Sequence, residues 1–474
     1  MPAVEALQIL ADRMQTAAEG VDVRDMAAAR FPKFLAIDPH QESVTVRCRA
    51  TELAGGGRRV SLSSTTTVGS ARIRRSITHT EAIFGAAGAP LSVFPLDLAA
   101  AVQGPCDTID PLVIYRELVP FGPDYRSICA PLVVSADGAL ARVRAPSEAS
   151  ALPGPLGSGF PLDGAFHAAC VWGQRFAGRV AFPVAIGRRI ILESTRPGGI
   201  YTARVVPVEV TPTVLIVDIW ILDKNGNCRE AALQVEMRDV SRGTWQPPSW
   251  IAAPRHCTPL FPWASACQGI VMIERDHLAG FAAAALGPAE AQRMAGMGDK
   301  RRQGYIGGRL ALKRLWRNLS GGDRQTPPAA IVTVTGDDLR PCLPAVDDGP
   351  ACHCSLAHDD RFCVAVAHHA PVGIDVEPLP GRTMRAEHIF MQASERAVVQ
   401  AAALDAAAAA LRVWSVKEAA SKAFGIALDE AWARITIISI GDAASRFNDH
   451  RGRPMAACHG IVDGHLMTVV TEPV

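Results

Sequence analysis

Leu7, Ile9, Leu10 and Met14 recur at helical spacing between Val4 and Ala18, and that spacing predicts a helix. Alternation follows. SVTVRCRA (43–50), RRVSLSSTTTV (58–68) and ARIRRSITHTEAIF (71–84) alternate apolar and polar side chains with β-branched enrichment, as antiparallel strands with one wet face do. The theme returns in a different order. ALARVRAP (139–146) reads as a strand, ALPGPLGSGFP (151–161) as a Gly/Pro loop and DGAFHAACVWGQRFA (163–177) as a helix. RRIILEST (188–195), TARVVPVEV (202–210), TVLIVDIWILD (213–223) and REAALQVEMRDV (229–240) read as strands. Asp137-Gly138 and Asn225-Gly226 are hairpin signals. A Pro-rich stretch, TWQPPSWIAAPRHCTPLFPW (244–263), acts as an extended spacer. Beyond it come helices, AEAQRMAG, GRLALKRLW and an Ala-rich run (397–414) continuing through VKEAASKAFG, with short strands between them. The fold class is α+β, with expected divisions at 1–96, 97–242, a linker at 243–263, and 264–474.

Composition narrows the function classes. The 474 residues carry 48 basic and 47 acidic side chains, a formal charge of +1, so no global field favours nucleic acid or a membrane surface. At 49% apolar and 20% charged, the chain is globular. Glu5 and Asp12 interrupt the first residues, which lack the basic start and apolar run of a signal peptide. The run at 397–414 contains Gln400 and Asp405 and suits a water-facing helix rather than a bilayer span. Twelve cysteines without a CxxC pair read as reduced thiols, and a cytoplasmic location is expected.

The chemistry concentrates in the last region. VGIDVEPL (372–379) places Asp375 and Glu377 two apart, so in a strand both carboxylates project from one face. WSVKEAASK (414–422) places Trp414, Glu418 and Lys422 on one helical face, with Lys417 beside them. Three carboxylates without His or Cys fit a hard cation such as Mg²⁺, whose shell is completed by water and substrate phosphates. Either half alone is equally the pattern of solvated strand-edge carboxylates or of a charge-paired surface helix. Their conjunction is more specific. Only six of the 48 basic residues are lysines, and two of those six fall within this one motif.

GIDVE together with W-S-x-K-E-A-x-x-K resembles the signature of Sfp-type 4'-phosphopantetheinyl transferases. Further parts match in order: RRQGYIGGRLALKRL (301–315) with Arg309, LRP (339–341) with Arg340, and CSLAHDDRFCVAVA (354–367) with Ser355 and His358. Arg340, Leu339 and Ala357 depart from the residues the family commonly has there. The resemblance covers about 265–470 and implies a two-subdomain α+β fold. It implies transfer of phosphopantetheine from coenzyme A, with Mg²⁺, to a serine of an apo acyl carrier protein or of a polyketide-synthase carrier domain. By carry-over, Asp375, Glu377 and Glu418 would hold the metal, with Glu418 also the base. Lys422 would stabilise the cleaved phosphate. Arg309, Arg340, Ser355, His358 and Lys417 would complete the coenzyme A contacts.

YRELVPFGPDYRSI (115–128) and FPLDGAFHAACVWGQ (160–174) resemble the second half of a polyketide-synthase dehydratase, a double hotdog, with Asp163 as its catalytic carboxylate and His167 placed to orient it. An N-cap role for Asp163 fits the same residues. MPAVEAL resembles the tail of that family's His-x-x-x-Gly-x-x-x-x-Pro motif, which implies that the first hotdog starts late and that its histidine lies before Met1. Three readings of this region stay open: a truncated start, a dehydratase whose histidine an upstream polypeptide supplies, and a docking scaffold; a non-catalytic carrier-protein-binding module is the alternative for the whole chain, and the resemblance to hotdog units implies a homodimer through this region. A dehydratase followed by such a transferase resembles the C-terminal end of iterative, enediyne-like type I polyketide synthases.

Overall fold

The structure is a computed structural model that describes all residues except 18–20, 38–42, 55, 69–72, 86–105, 148–153, 226, 253–266, 276–284, 322–325, 334–340, 346–351, 380–386 and 473–474. It comprises two compact units, Met1–Val93 with Cys106–Ala253, and Phe94–Pro105 with Pro254–Val474.

The first unit is one antiparallel sheet around two helices, α1 (Ala3–Ala17) and α2 (Phe160–Phe176). Its strands are β1 (Asp25–Arg30), β2 (Val46–Glu52), β3 (Arg58–Val68), β4 (Ile73–Phe84), β5 (Asp107–Ile109), β6 (Leu132–Ser135), β7 (Gly138–Arg144), β8 (Phe182–Ile191), β9 (Ile200–Val210), β10 (Leu215–Leu222) and β11 (Cys228–Arg238). They lie in the order β2-β3-β4-β1-β8-β11-β10-β9-β7-β6-β5. The connectivity repeats about the β1–β8 seam. After each helix the chain enters the seam strand, and the later strands β4 and β11 lie beside β1 and β8. This is a double hotdog. α1 buries the stripe Ala3, Val4, Leu7, Leu10, Ala11 and Met14, whereas α2 is buried almost all round from Phe160 to Gln174, as a helix enclosed by a sheet must be. Gly138, at φ +140, begins β7 where an added Cβ would lie 2.1 Å from the Val205 carbonyl oxygen. The Asp137-Gly138 signal therefore marks both a turn and a close backbone approach.

β1 escaped the periodicity. Its sequence, DMAAAR, has no β-branched residue, and its strand geometry comes from pairing with both β4 and β8, which are distant in sequence.

The second unit contains two antiparallel sheets. β12 (Gly269–Glu274), β14 (Phe362–His368) and β13 (His353–His358) form one, in that order. The other runs β15 (Val372–Pro378), β19 (His465–Thr471), β18 (Pro454–Val462), β17 (Ala444–Asn448) and β16 (Thr436–Ile440). The longer helices are α3 (Pro288–Met294), α4 (Asp299–Leu319), α5 (Ala393–Ala401), α6 (Ala406–Phe424) and α7 (Leu428–Arg434). α4 packs on β12 and β14, and α6 on β15 and β19. The Ala-rich run is not one continuous helix. It breaks between Ala401 and Ala406, where the Asp405 side chain accepts from Ala408 N and caps α6. Gly425, left-handed at φ 67, closes the same helix.

Among the described residues no helix is long and apolar enough to cross a membrane. The eleven described cysteines are free thiols.

Candidate functional site

The main candidate site forms where β15 meets α6 at backbone distance. A Cβ on Gly373 would lie 1.8 Å from the Ala419 carbonyl oxygen and 2.7 Å from Ala423 N, so only glycine permits this approach. As a result the strand carboxylates reach the helix side chains. Lys422 Nζ donates to the Ile374 carbonyl (2.8 Å) and to Asp375 Oδ1 (3.3 Å), and lies 3.7 Å from Glu418 Oε2. Trp414 Nε1 donates to Glu377 Oε1 at 2.8 Å. Asp375, Glu377, Trp414, Glu418 and Lys422 are therefore brought together.

Charge is crowded here. Burial first, and then the Asp375 charge, push Glu377 up to about 7. The same two causes, in the same order, hold Glu418 well above the usual carboxylate range. Asp375 is 3% exposed, and its Oδ2 has no hydrogen-bond partner although Glu418 is within hydrogen-bonding range. Two carboxylates only accept, so they bond to each other only when one holds a proton. The orphaned oxygen and the acceptor-only donor set fit a hard cation. Among the described residues no three His, Cys, Asp or Glu side chains enclose a metal by themselves. A cation here would need further oxygen ligands from water or substrate.

A cleft of about 430 Å³ opens beside Lys422, with Pro341, Cys354, Ser355, Ser421 and Gly425 in its walls. Ser355 Oγ accepts from Ile374 N (3.2 Å), tying β13 to β15, so one wall is anchored to the strand that carries Asp375. His358 keeps an exposed edge while its ring lies against Gly304 of α4. Burial of the ring, then the charges of Arg275 and Lys422, lower its pKa. Arg309 is buried, its Nη1 donating to the Thr333 hydroxyl (3.2 Å) and to the Thr333 carbonyl, with its guanidinium over the Tyr305 ring. Its Nε has no hydrogen-bond partner. Arg340 lies outside the described residues.

Lys417 requires a correction. It is fully buried, donating to Glu395 Oε2 (2.8 Å), the Phe390 carbonyl (2.8 Å) and the Trp432 carbonyl (3.1 Å). With all three ammonium hydrogens engaged, it faces the interior of the unit and not the cleft. Its neighbour Glu418 lies on a different face, beside Lys422, because adjacent helix positions do not share a face. Sequence reading missed Glu395, which also accepts from Gln392 N and Ile437 N. The Gln392-x-x-Glu395 capping spacing was the available signal.

In the first unit, α2 has Gly159 as its N-cap, so Asp163 caps nothing. Asp163 is 5% exposed and His167 3%, with Asp163 Oδ2 and His167 Nε2 3.3 Å apart. Burial, then the Glu5 charge, raise Asp163 to about 7, and burial lowers His167 to about 3.

Comparison with curated proteins returned no match. Among solved structures, the first unit is similar to the dehydratase domain of a mycocerosic acid synthase-like polyketide synthase (16% identity, 51% of this chain, 83% of that chain, TM-score 0.40). It is also similar to the dehydratase domain of PpsC from Mycobacterium tuberculosis (19%, 50% and 84%, TM-score 0.39) and to that of the CurJ module of curacin polyketide synthase (16%, 50% and 82%, TM-score 0.40). Residues 371–470, which hold Asp375, Glu377, Glu418 and Lys422, match the family model of the 4'-phosphopantetheinyl transferase superfamily.

Proposed function

We propose that the second unit transfers 4'-phosphopantetheine from coenzyme A to a serine of an apo acyl carrier protein or polyketide-synthase carrier domain, with Mg²⁺, in polyketide or fatty-acid type biosynthesis. The observation that carries this reading is Asp375, a buried carboxylate with a donorless oxygen, set against Glu418 and Lys422 within the matched stretch, with a cleft opening beside Lys422. Asp375, Glu377 and Glu418 would hold Mg²⁺, which neutralises pyrophosphate charge when bound. Glu418, held above the usual carboxylate range, suits a base that takes the carrier serine's proton. Lys422, already fixed by Ile374 and Asp375, would hold the phosphate whose bond breaks. His358, Arg340 and the unpartnered Nε–H of Arg309 would receive the nucleotide end, while Ser355 keeps the cleft wall in place.

The test is intact-mass spectrometry of an apo carrier protein incubated with this protein, coenzyme A and Mg²⁺, against an EDTA control. A metal-dependent gain of one phosphopantetheine group is expected, and Glu418→Ala should abolish it. No gain across several carriers, polyketide-synthase ones included, overturns the proposal.

A second reading concerns the first unit: removal of water from a β-hydroxyacyl thioester, with Asp163 as the acid. It is favoured by a carboxyl that caps no helix, is buried, and is held at about 7.

A further inference from the structure

We propose that the tip of the β18–β19 hairpin, Asp463 to His465, is a clasp that fixes His358 relative to Glu377, so that the nucleotide end and the pyrophosphate of one coenzyme A molecule are held at once. The inference rests on the transferase reading of the second unit and names positioning residues within it. Its starting observation is a division. His358 ends β13 and Glu377 lies near the end of β15, and these strands belong to different sheets. Among the described residues no strand pairing joins the two sheets, so side chains must set their relation. Ser355 does so at Ile374, near the start of β15. The hairpin tip does so at the other end.

The tip faces two ways. Toward β15, His465 pairs with Pro378, and Leu379 N donates to the Gly464 carbonyl at 2.7 Å, so the backbone is gripped within two residues of Glu377. Toward the β13–β14 turn, His465 Nδ1 donates to Asp359 Oδ2. Arg361 of the same turn reaches Asp463 Oδ2 through Nη1 (2.5 Å) and Glu274 Oε1 of β12 through Nε (3.0 Å). Asp359 directly follows His358. Its other oxygen, Oδ1, accepts from Arg361 N and Phe362 N (both 2.7 Å), and Asp359 N donates to the Phe362 carbonyl (3.0 Å), which fixes the turn.

Burial works against an ionised Asp359, yet the hydrogen bonds from His465 and from the Phe362 and Arg361 amides hold it below the usual carboxylate range. An ionised carboxylate only accepts, which assigns the His465 proton at this contact to Nδ1. Exposure separates the firm contacts from the weak. The His465 and Asp359 side chains are 12% and 6% exposed, so water screens their contact little. Lys300 and Asp360, paired at 3.0 Å beside it, are 82% and 70% exposed and contribute little. The His465 ring stands edge-on to Phe362, with centroids 4.8 Å apart, and the Arg361 guanidinium lies over the same ring. Asp463 and Gly464 are both left-handed, at φ 46 and 81, the tight Asp-Gly turn that leaves the tip little room to shift. After burial and Asp375, the Asp359 charge also raises Glu377, so the clasp lies within electrostatic reach of the strand it positions.

The test is calorimetric titration of the full chain with coenzyme A, in Mg²⁺ and in EDTA, with transfer to an apo carrier protein measured alongside. In the parent, Mg²⁺ should tighten coenzyme A binding by about tenfold or more, because one ligand then engages both held ends. H465A should bind in EDTA within about threefold of the parent while the Mg²⁺ effect falls below about threefold, a selective loss that general destabilisation would not produce. H465N, whose amide nitrogen takes the place of Nδ1, should restore the effect, and H465Q should not. A transferring parent whose H465A variant keeps the full Mg²⁺ effect overturns the clasp and leaves the transferase reading standing. H465N as deficient as H465A overturns the Nδ1 contact as its basis. A parent whose coenzyme A affinity ignores Mg²⁺ overturns the clasp, and one that neither binds coenzyme A nor transfers overturns the transferase reading with it. Should H465A lose its melting transition, D463N removes the tip's charge and keeps a residue at home in the left-handed region. The Mg²⁺ effect should fall by about threefold or more in D463N, and a parental value there overturns the clasp.

Discussion

Replacing Lys417 separates a framework role from a coenzyme-binding one. Lys417 and Glu395 are both fully buried and 2.8 Å apart, and burial lowers the Lys417 pKa even with Glu395 opposing. Lys417→Met leaves Glu395 as a buried carboxylate that keeps only the Gln392 and Ile437 N–H donors. Breaking a buried pair from one side costs about 3–5 kcal/mol. For a unit of this size each kcal/mol moves the melting temperature by about 2–4 °C, so a fall on the order of 6–20 °C is expected. Adding Glu395→Gln removes the stranded charge and keeps a capping oxygen, so the double variant should regain about 2 kcal/mol. The assay is differential scanning calorimetry of the parent, both single variants and the double, with the transferase KM for coenzyme A measured alongside. KM should change less than about threefold in every variant that remains folded, because the lysine makes no contact with the cleft. A Lys417→Met protein that melts within 2 °C of the parent while its KM rises tenfold would refute the assignment.

Mg²⁺ should raise the melting temperature of the second unit, by about 2.7 kcal/mol of stability at a hundredfold excess over Kd, and Asp375→Asn should abolish that response. Thermal shift with Mg²⁺ and with EDTA reads both. Gly373→Ala should destabilise by at least about 3 kcal/mol and eliminate transfer, since the new methyl meets backbone atoms that cannot turn aside. An urea titration showing a loss under about 1 kcal/mol would mean α6 and β15 can part without harm. For Asp163 the sign follows from a raised folded-state pKa. The native chain keeps a proton that the unfolded chain releases between pH 3.8 and about 7, so the penalty of the ionised form is absent below that window and complete above it. Asp163→Asn should therefore stabilise the first unit at pH 8, by on the order of 1–4 kcal/mol, and have little effect at pH 4. Melting curves at the two pH values with equal shifts would contradict that account.

Much of this was readable in the chain where a signal was local. α1, β3 and the hairpin at Gly138 follow from periodicity and turn chemistry over a few residues. Asp375, Glu377, Trp414, Glu418 and Lys422 meet as the strand and helix periods require. What the sequence concealed was set by distant partners. β1 is a strand because β4 and β8 flank it. Lys417 and Glu418 are neighbours in the motif and serve different faces of one helix, a separation that only packing reveals. Gly373 reads as an ordinary strand glycine until the helix backbone is seen against it.

The β1–β8 seam joins two similar halves within one chain. If each half were a separate copy of the same subunit, a two-fold axis would place identical side chains at both helix starts, and any substitution would appear twice. A single covalent chain is free of that constraint. It can set a glutamate at the start of α1 and an aspartate at the start of α2, and each can be altered by mutation while its counterpart stays untouched.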